Sequence, residues 1–172
     1  MSNLKNLVLV LSFSFFSYTS SAFASDGYAQ IKENIMQRTD AYAVKMQKQI
    51  AFNYESGDNG FPLDKKSALK WYLIAFNNGD SYSGYKYAII SKDIGNINDF
   101  LSFSEKSISK NNKNACFYLS NYYIDEYKKD LFLNKKYIYL ARDTLSKCGG
   151  TDQEAVKKMI EIKKEIDIIE KK

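Results

Sequence analysis

The chain has 172 residues, of which 45% are hydrophobic and 26% charged, and its formal net charge is +5. This length allows one domain with a real hydrophobic core. The charge is mild and the lysines are spread along the chain, which argues against a nucleic-acid partner. The absence of histidine excludes imidazole bases, Ser-His-Asp triads and histidine metal sites.

The first 24 residues have the pattern of a secretory signal peptide. A single charge, Lys5, precedes an apolar run over 7–16, and an A-x-A cleavage site ends at Ala24. This run is too short to cross a bilayer, so we favour cleavage over a membrane anchor. We therefore predict one exported domain, residues 25–172, in the periplasm or secreted, with no later segment that inserts into a membrane.

The rest of the chain has helical periodicity. A short amphipathic helix over 25–38 is predicted to cover one end of the fold, because terminal units of repeat proteins need a cap. Small and apolar residues then recur three and four apart in paired segments separated by turn residues. The predicted helices cover 40–56, 64–78, 81–93, 98–110, 113–127 and 134–147, and a last helix, capped by Thr151 and Glu154, carries Val156, Met159, Ile160, Ile166 and Ile169 on one side.

This pattern predicts an all-α fold, an α-solenoid of about three helical hairpins with capping helices, about eight helices in all. Equivalent positions at Ile50, Tyr87, Leu119 and Met159 recur at intervals typical of helical-hairpin solenoids. The turn around Gly95 is short compared with the others. We therefore expect the middle hairpin to be the tightest.

The stretch from Ile50 to Asp80 is the clearest hairpin. Alanines at a helix crossing let two axes come close, and large rings fill the space beside them. Glycines can end helices in the left-handed conformation, and an aspartate can cap the next helix through its carboxylate. The residues with these roles are Ala51, Tyr54, Gly57, Asp64, Ala68, Trp71, Tyr72, Ala75 and Gly79.

This stretch resembles the Sel-one-like repeat (SLR) family, relatives of the tetratricopeptide repeats. The family motif is a Leu-Ala/Gly pair, Tyr three further on, a Gly-rich turn, Asp, Lys-Ala, Trp-Tyr, Ala-Ala and a closing Gly. The chain departs from it at Phe76, where the family prefers a small residue, and at Ser67, where it prefers Lys. The resemblance implies an α-solenoid that works by binding another macromolecule.

Two cysteines are present, Cys116 near the start of one predicted helix and Cys148 at the end of its antiparallel partner. These two helix ends meet at one edge of the hairpin, so an exported chain should join them in a disulfide. Some extracellular SLR proteins are similar in stapling their hairpins with cysteines. The alternative is two buried free thiols.

No constellation with catalytic or metal-binding spacing appears in the sequence. It contains no C-x-x-C pair, no G-x-G-x-x-G and no P-loop. The adjacent carboxyls of Asp125 and Glu126 would point about a hundred degrees apart on a helix, so they do not converge as an acid and a base. We therefore predict no enzymatic activity, no cofactor and no metal.

Binding to another protein is the remaining function. Candidate anchors are aromatic residues that the repeat motif does not require, although each could equally pack between hairpins. An exported SLR-like domain would suit an immunity protein that neutralises a secreted toxic effector. The alternatives are a periplasmic scaffold or regulatory adaptor, and a cell-wall or β-lactam hydrolase of the cysteine-stapled SLR type. The candidate anchors are Phe52, Tyr82, Tyr85, Phe117, Tyr118 and Tyr122.

Overall fold

A computed structural model describes residues 32–129, 135–149 and 153–171. This part of the chain contains eight helices and no strand, which confirms the predicted all-α fold. The helices are α1 (32–37), α2 (Ala41–Ser56), α3 (Lys65–Asn77), α4 (Ser81–Asp93), α5 (Ile97–Ser109), α6 (Lys113–Lys129), α7 (Lys135–Ser146) and α8 (Gln153–Glu170).

The chain divides into two compact units, Met1–Ala43 and Val44–Lys172. In the first unit, the Asp40 carboxylate accepts a hydrogen bond from the backbone N–H of Ala43 at 3.1 Å and so caps the start of α2. The predicted signal peptide lies outside the described residues. Within those residues, no helix has both the length and the apolar character that crossing a membrane requires.

The second unit is a row of helical hairpins. From α3 to α8, each helix packs against the next one along the chain, and α6 also approaches both α4 and α8 directly. Side chains join α2 to this row, because Lys86 of α4 forms an ion pair with Glu55 of α2 at 2.6 Å. The first helices of successive hairpins therefore adjoin one another along one side of the unit.

The first hairpin, α2 and α3, has the predicted core. Its alanines at the helix crossing are fully buried, and two large rings fill the space around them. The ring of Tyr54 is half-buried and packs edge-on against Phe61, with centroids 4.9 Å apart. The buried motif residues are Ala51, Ala68, Trp71, Tyr72 and Ala75.

The predicted helix ends of this hairpin are also present. Gly57 and Gly79 have φ angles of 75° and 105°, in the left-handed region that glycine adopts easily. Asp64 caps α3, accepting hydrogen bonds from the backbone N–H of Ser67 at 3.2 Å and from its hydroxyl at 2.6 Å. The hydroxyl of Ser67 is the main cause of the lowered pKa of Asp64. Ser67, where the family motif prefers Lys, thus strengthens a helix cap.

Phe76, the other departure from the family motif, packs against a glycine on the next helix. A methyl group at Gly84 would lie 2.4 Å from the Phe76 ring and 2.5 Å from the Ser107 hydroxyl oxygen. The buried Phe76 ring also packs against Phe103, with centroids 5.6 Å apart. The large side chain on α3 therefore fits only because α4 has no side chain where α3, α4 and α5 meet.

The middle hairpin has the short turn that its sequence predicts. Helix α4 ends at Asp93 and α5 begins at Ile97, so residues 94–96 form the whole connection. By contrast, 57–64 separate α2 from α3. The turn between α6 and α7 lies outside the described residues.

The third hairpin, α6 and α7, is closed by the predicted disulfide. The Cα atoms of Cys116 and Cys148 are 5.5 Å apart, within the usual range for a disulfide, and both residues are buried. No free cysteine remains, which contradicts the alternative of two free thiols.

Helix α8 packs with a narrower apolar side than we predicted. Ile162 and Ile166 are buried against the third hairpin, whereas Val156 and Ile160 are 41% and 49% exposed. The apolar residues span more of the helix circumference than one contact can cover, so part of the stripe stays outside. The predicted capping box of Thr151 and Glu154 lies outside the described side chains.

Candidate functional site

Tyrosine rings form a continuous run across α4 and α6. The centroids of Tyr82 and Tyr85 are 5.8 Å apart, and those of Tyr85 and Tyr118 are 6.1 Å apart. Tyr118 and Tyr122 both pack on the fully buried ring of Phe100, at 5.9 and 4.7 Å. Tyr82 is 41% exposed and the other three tyrosines are half-buried. We call Tyr82, Tyr85, Tyr118 and Tyr122 the tyrosine face.

Helical spacing and close helix packing create this surface. Tyr82 and Tyr85 are three residues apart on α4, and Tyr118 and Tyr122 are four apart on α6, so each pair lies on one side of its helix. Buried small residues, among them Ser91 on α4 and Ser120 on α6, let helices approach closely. Rings from two hairpins therefore share one surface.

The ammonium group of Lys92 lies over three rings at one end of the tyrosine face. Its nitrogen is 4.9 Å from the centroid of Tyr118, 5.1 Å from that of Tyr122 and 5.6 Å from that of Phe100. These distances are typical of cation–π interactions. The aromatic rings thus hold a positive charge in a defined position between α4 and α6.

At the other end, Lys48 of α2 lies over Tyr82, with its nitrogen 5.7 Å from the ring centroid. This ammonium group is paired with the Asp80 carboxylate at 3.1 Å. Burial raises the pKa of the hydroxyls of Tyr85 and Tyr122. These two hydroxyls therefore stay protonated at neutral pH and can both donate and accept hydrogen bonds.

A cleft of about 340 Å³ adjoins the tyrosine face between α6 and α8. From α6 it receives the exposed side-chain amides of Asn114 and Asn121. Amide groups can pair with both donors and acceptors, such as the backbone of a partner chain. The complete lining is Tyr85, Asn114, Phe117, Tyr118, Asn121, Lys158, Glu161 and Ile162.

The structure brings four of the six predicted anchors together, and these are the members of the tyrosine face. Phe117 is buried in the core and only lines the cleft, so most of its ring is unavailable to a partner. Phe52 is 45% exposed on α2 and is not part of the run of ring contacts. Sequence reasoning missed Lys92, although it follows Tyr85 by two helical turns and so lies on the same side of α4.

A second groove, of about 630 Å³, lies between α7 and α8. It has no aromatic lining, and the guanidinium group of Arg142 at its edge is paired with the carboxylates of Asp167 and Glu170. The charge of Arg142 is therefore largely neutralised, and the groove offers mainly aliphatic surface. The lining is Arg142, Leu145, Ser146, Val156, Met159, Ile160, Lys163 and Ile166.

The groups on the tyrosine face and in the adjoining cleft are suited to non-covalent binding. Rings supply apolar area, hydroxyls and amides supply hydrogen bonds, and Lys92 supplies a charge. In the described ranges, no group of three histidine, cysteine or acidic residues could hold a metal ion. Both cysteines are used in the disulfide, so neither is available as a nucleophile.

Comparison with known proteins finds no matching family model, no similar curated protein and no similar solved structure. The resemblance to the SLR family therefore stays a prediction based on the motif residues.

Proposed function

We propose that this protein acts by binding another protein through the tyrosine face. The observation that carries the proposal is the run of ring contacts across α4 and α6 beside an open cleft. Each tyrosine combines a large apolar ring with a polar hydroxyl, so it tolerates water in the free protein and gains when a partner covers it.

Tyr82 supports this proposal most directly. The residue is 41% exposed, so part of its surface remains in contact with water after folding and would gain from burial in an interface. The groove between α7 and α8 is larger, but it has no aromatic lining, and its Arg142 is already paired with Asp167 and Glu170. The tyrosine face is therefore the better candidate.

More specifically, we propose that the protein is a periplasmic immunity protein that neutralises a secreted toxic effector. Two features support an exported location: the signal-peptide pattern over 1–24 and the disulfide, because disulfides persist in oxidising compartments. A small binding domain would block a toxin simply by covering its active surface. An envelope scaffold would use the same face on a different partner.

The binding step is tested by comparing two exposed tyrosines. The probe is the purified product of the neighbouring reading frame, and binding to the full exported chain is measured by calorimetry. We expect Tyr82→Ala to weaken binding at least about tenfold, the effect of losing an interface anchor. Tyr139→Ala is the control, because Tyr139 is 66% exposed on α7, away from the tyrosine face. Equal losses in both variants, or a loss only in the control, would contradict the proposal.

The immunity role is tested by growth. Cells that express the neighbouring toxin should survive with the wild-type chain and lose protection with Tyr82→Ala. A pair that binds tightly but gives no protection would support the scaffold role and end the immunity role. Failure to bind any neighbouring product would count against both roles.

A further inference from the structure

We infer that the partner meets the tyrosine face with an acidic segment, whose Asp or Glu carboxylates pair with the ammonium group of Lys92. This inference rests on the proposed function and adds the chemistry of the partner. Two observations carry it, the environment of Lys92 and its placement by three rings, and the polar groups of the adjoining cleft are compatible with it.

Lys92 is a half-buried cation whose contacts are aromatic rings. Nearby lysines are neutralised: Lys86 pairs with Glu55 at 2.6 Å and Lys48 with Asp80 at 3.1 Å. Among the described residues, no carboxylate lies within ion-pairing distance of Lys92. The rings compensate only part of the lost hydration of its ammonium group. A partner carboxylate would complete the neutralisation.

The three rings also hold the charge in place. Lysine is a flexible side chain and normally loses much conformational freedom when it forms an interface contact. Here the ring faces of Phe100, Tyr118 and Tyr122 restrict the ammonium group before any partner arrives. Binding therefore costs less ordering than at an ordinary surface lysine.

Polar groups on the tyrosine face and in the adjoining cleft can donate hydrogen bonds to a carboxylate. Tyr85 and Tyr122 have protonated hydroxyls, and the cleft contains the amides of Asn114 and Asn121. A carboxylate only accepts hydrogen bonds, so these donors match it. On the α8 side, Lys158 and Glu161 give the cleft charges of both signs, so Lys92 is the group that distinguishes an acidic partner.

The test uses three labelled peptides of equal length, in which leucine alternates with glutamate, glutamine or lysine. Their binding to the full exported chain is measured by fluorescence anisotropy. We expect the glutamate peptide to bind, the glutamine peptide to bind about fivefold more weakly, and the lysine peptide not to bind. Lys92→Met should weaken binding of the glutamate peptide about fivefold. Lys92→Arg keeps the charge and should therefore retain most of the wild-type affinity.

Lys106→Met is the matched control. It removes an ammonium group that lies 4.6 Å from the centroid of a single ring, Phe103, on α5 and off the tyrosine face. Its affinity for the glutamate peptide should equal that of the wild-type chain. Equal losses in Lys92→Met and Lys106→Met would indicate a general charge effect and overturn the inference.

Two further outcomes overturn it: equal binding of the glutamate and glutamine peptides, or binding of an N-acetylglucosamine tetrasaccharide and of no peptide. Binding measurements with the product of the neighbouring reading frame separate this inference from the proposed function. If Tyr82→Ala weakens binding of that product while Lys92→Met leaves the affinity unchanged, the tyrosine face is an interface but the partner segment is not acidic. If neither variant changes the affinity, both proposals fail.

Discussion

The first and third hairpins are both pairs of consecutive helices, but they are held together by different means. In the first, the Tyr72 hydroxyl of α3 donates a hydrogen bond to Glu55 of α2 at 2.6 Å, and Glu55 also pairs with Lys86 of α4 at 2.6 Å. In the third, the Cys116–Cys148 disulfide joins the ends of α6 and α7. A helical hairpin in this protein can thus be secured by a polar network or by a covalent bond.

The difference follows from what the second helices of the two hairpins bury. The second helix of the first hairpin buries three large rings, Trp71, Tyr72 and Phe76. The second helix of the third buries no ring, and its buried residues are Ile138, Ala141, Thr144 and Leu145. Stabilisation grows with the apolar area removed from water. Helix α7 therefore gains less from packing than α3 does, and the disulfide that ties its end to α6 offsets that deficit.

Removing the disulfide should have the largest effect. We expect Cys116→Ala combined with Cys148→Ala to lower the free energy of unfolding by about 3 to 4 kcal/mol, because the bond closes a loop spanning a sequence separation of 32 residues. Urea denaturation measures this change. Reductant should destabilise the wild-type chain by a similar amount and leave the double variant unchanged. A loss below about 1 kcal/mol would show that packing alone secures this hairpin.

A methyl group at the joint between the first and second hairpins should have the next largest effect. Gly84→Ala places that methyl against Phe76 and Ser107, and overpacking of this kind costs about 2 to 3 kcal/mol. Gly95→Ala is the control, since its methyl meets open space and adds only backbone strain of about 1 kcal/mol at φ 83°. Thermal and urea unfolding should rank the variants in this order, and the reverse order would contradict the packing at Gly84.

The polar network of the first hairpin is broken by Glu55→Gln. We expect a loss of about 2 kcal/mol, because the change removes a charged acceptor from the Tyr72 hydroxyl and from Lys86. Both members of this ion pair are mostly buried, at 22% and 17% exposure. Asp143→Asn is the control in the third hairpin, where the pair of Asp143 with Lys147 is exposed and should contribute little. Similar unfolding midpoints for the two variants would show that the network is not what secures the first hairpin.

The same network predicts a dependence on alkaline pH. Burial, and then the hydrogen bond to Glu55, raises the pKa of Tyr72 above its ordinary value near 10. The unfolded chain therefore loses this proton first. The contribution of Tyr72 is complete below about pH 10 and is lost progressively as the pH rises above that value.

Urea midpoints between about pH 9 and 11 measure this dependence. The stability of the wild-type chain should fall over this range, and Tyr72→Phe should make the fall shallower. Some slope should remain in the variant, because the pKa values of Tyr85, Tyr87, Tyr122 and Tyr123 are raised as well, chiefly by burial. An unchanged slope in Tyr72→Phe would contradict the prediction.

Making the third hairpin more like the first should have the smallest effect, and a favourable one. Ser120 stands where the first hairpin has the fully buried Ala51, and its buried hydroxyl has no hydrogen-bond partner among the described residues. Ser120→Ala should therefore be neutral or raise the free energy of unfolding by up to about 1 kcal/mol. A clear loss of stability in calorimetry would show that the hydroxyl has a partner in solution.

The two departures of the first hairpin from the family motif show where sequence reasoning stops. Ser67 strengthens the cap of Asp64 only three residues away, so its role is local. Phe76 needs an empty space on another helix, and nothing near it in the chain indicates that Gly84 supplies that space. Contacts between distant segments depend on how the helices stack.

Sequence alone determined the helical character of the chain, the ends of α2 to α7 to within two residues, the short middle turn and the pairing of the cysteines. Each of these depends on residues a few positions apart, or on the antiparallel course of one hairpin, and such relations can be read along the chain. Only the tertiary structure decided which aromatic residues share a surface, that Phe117 belongs to the core, and that Lys92 lies over three rings. These features depend on how closely α4, α5 and α6 approach one another, which is set by side chains far apart in sequence.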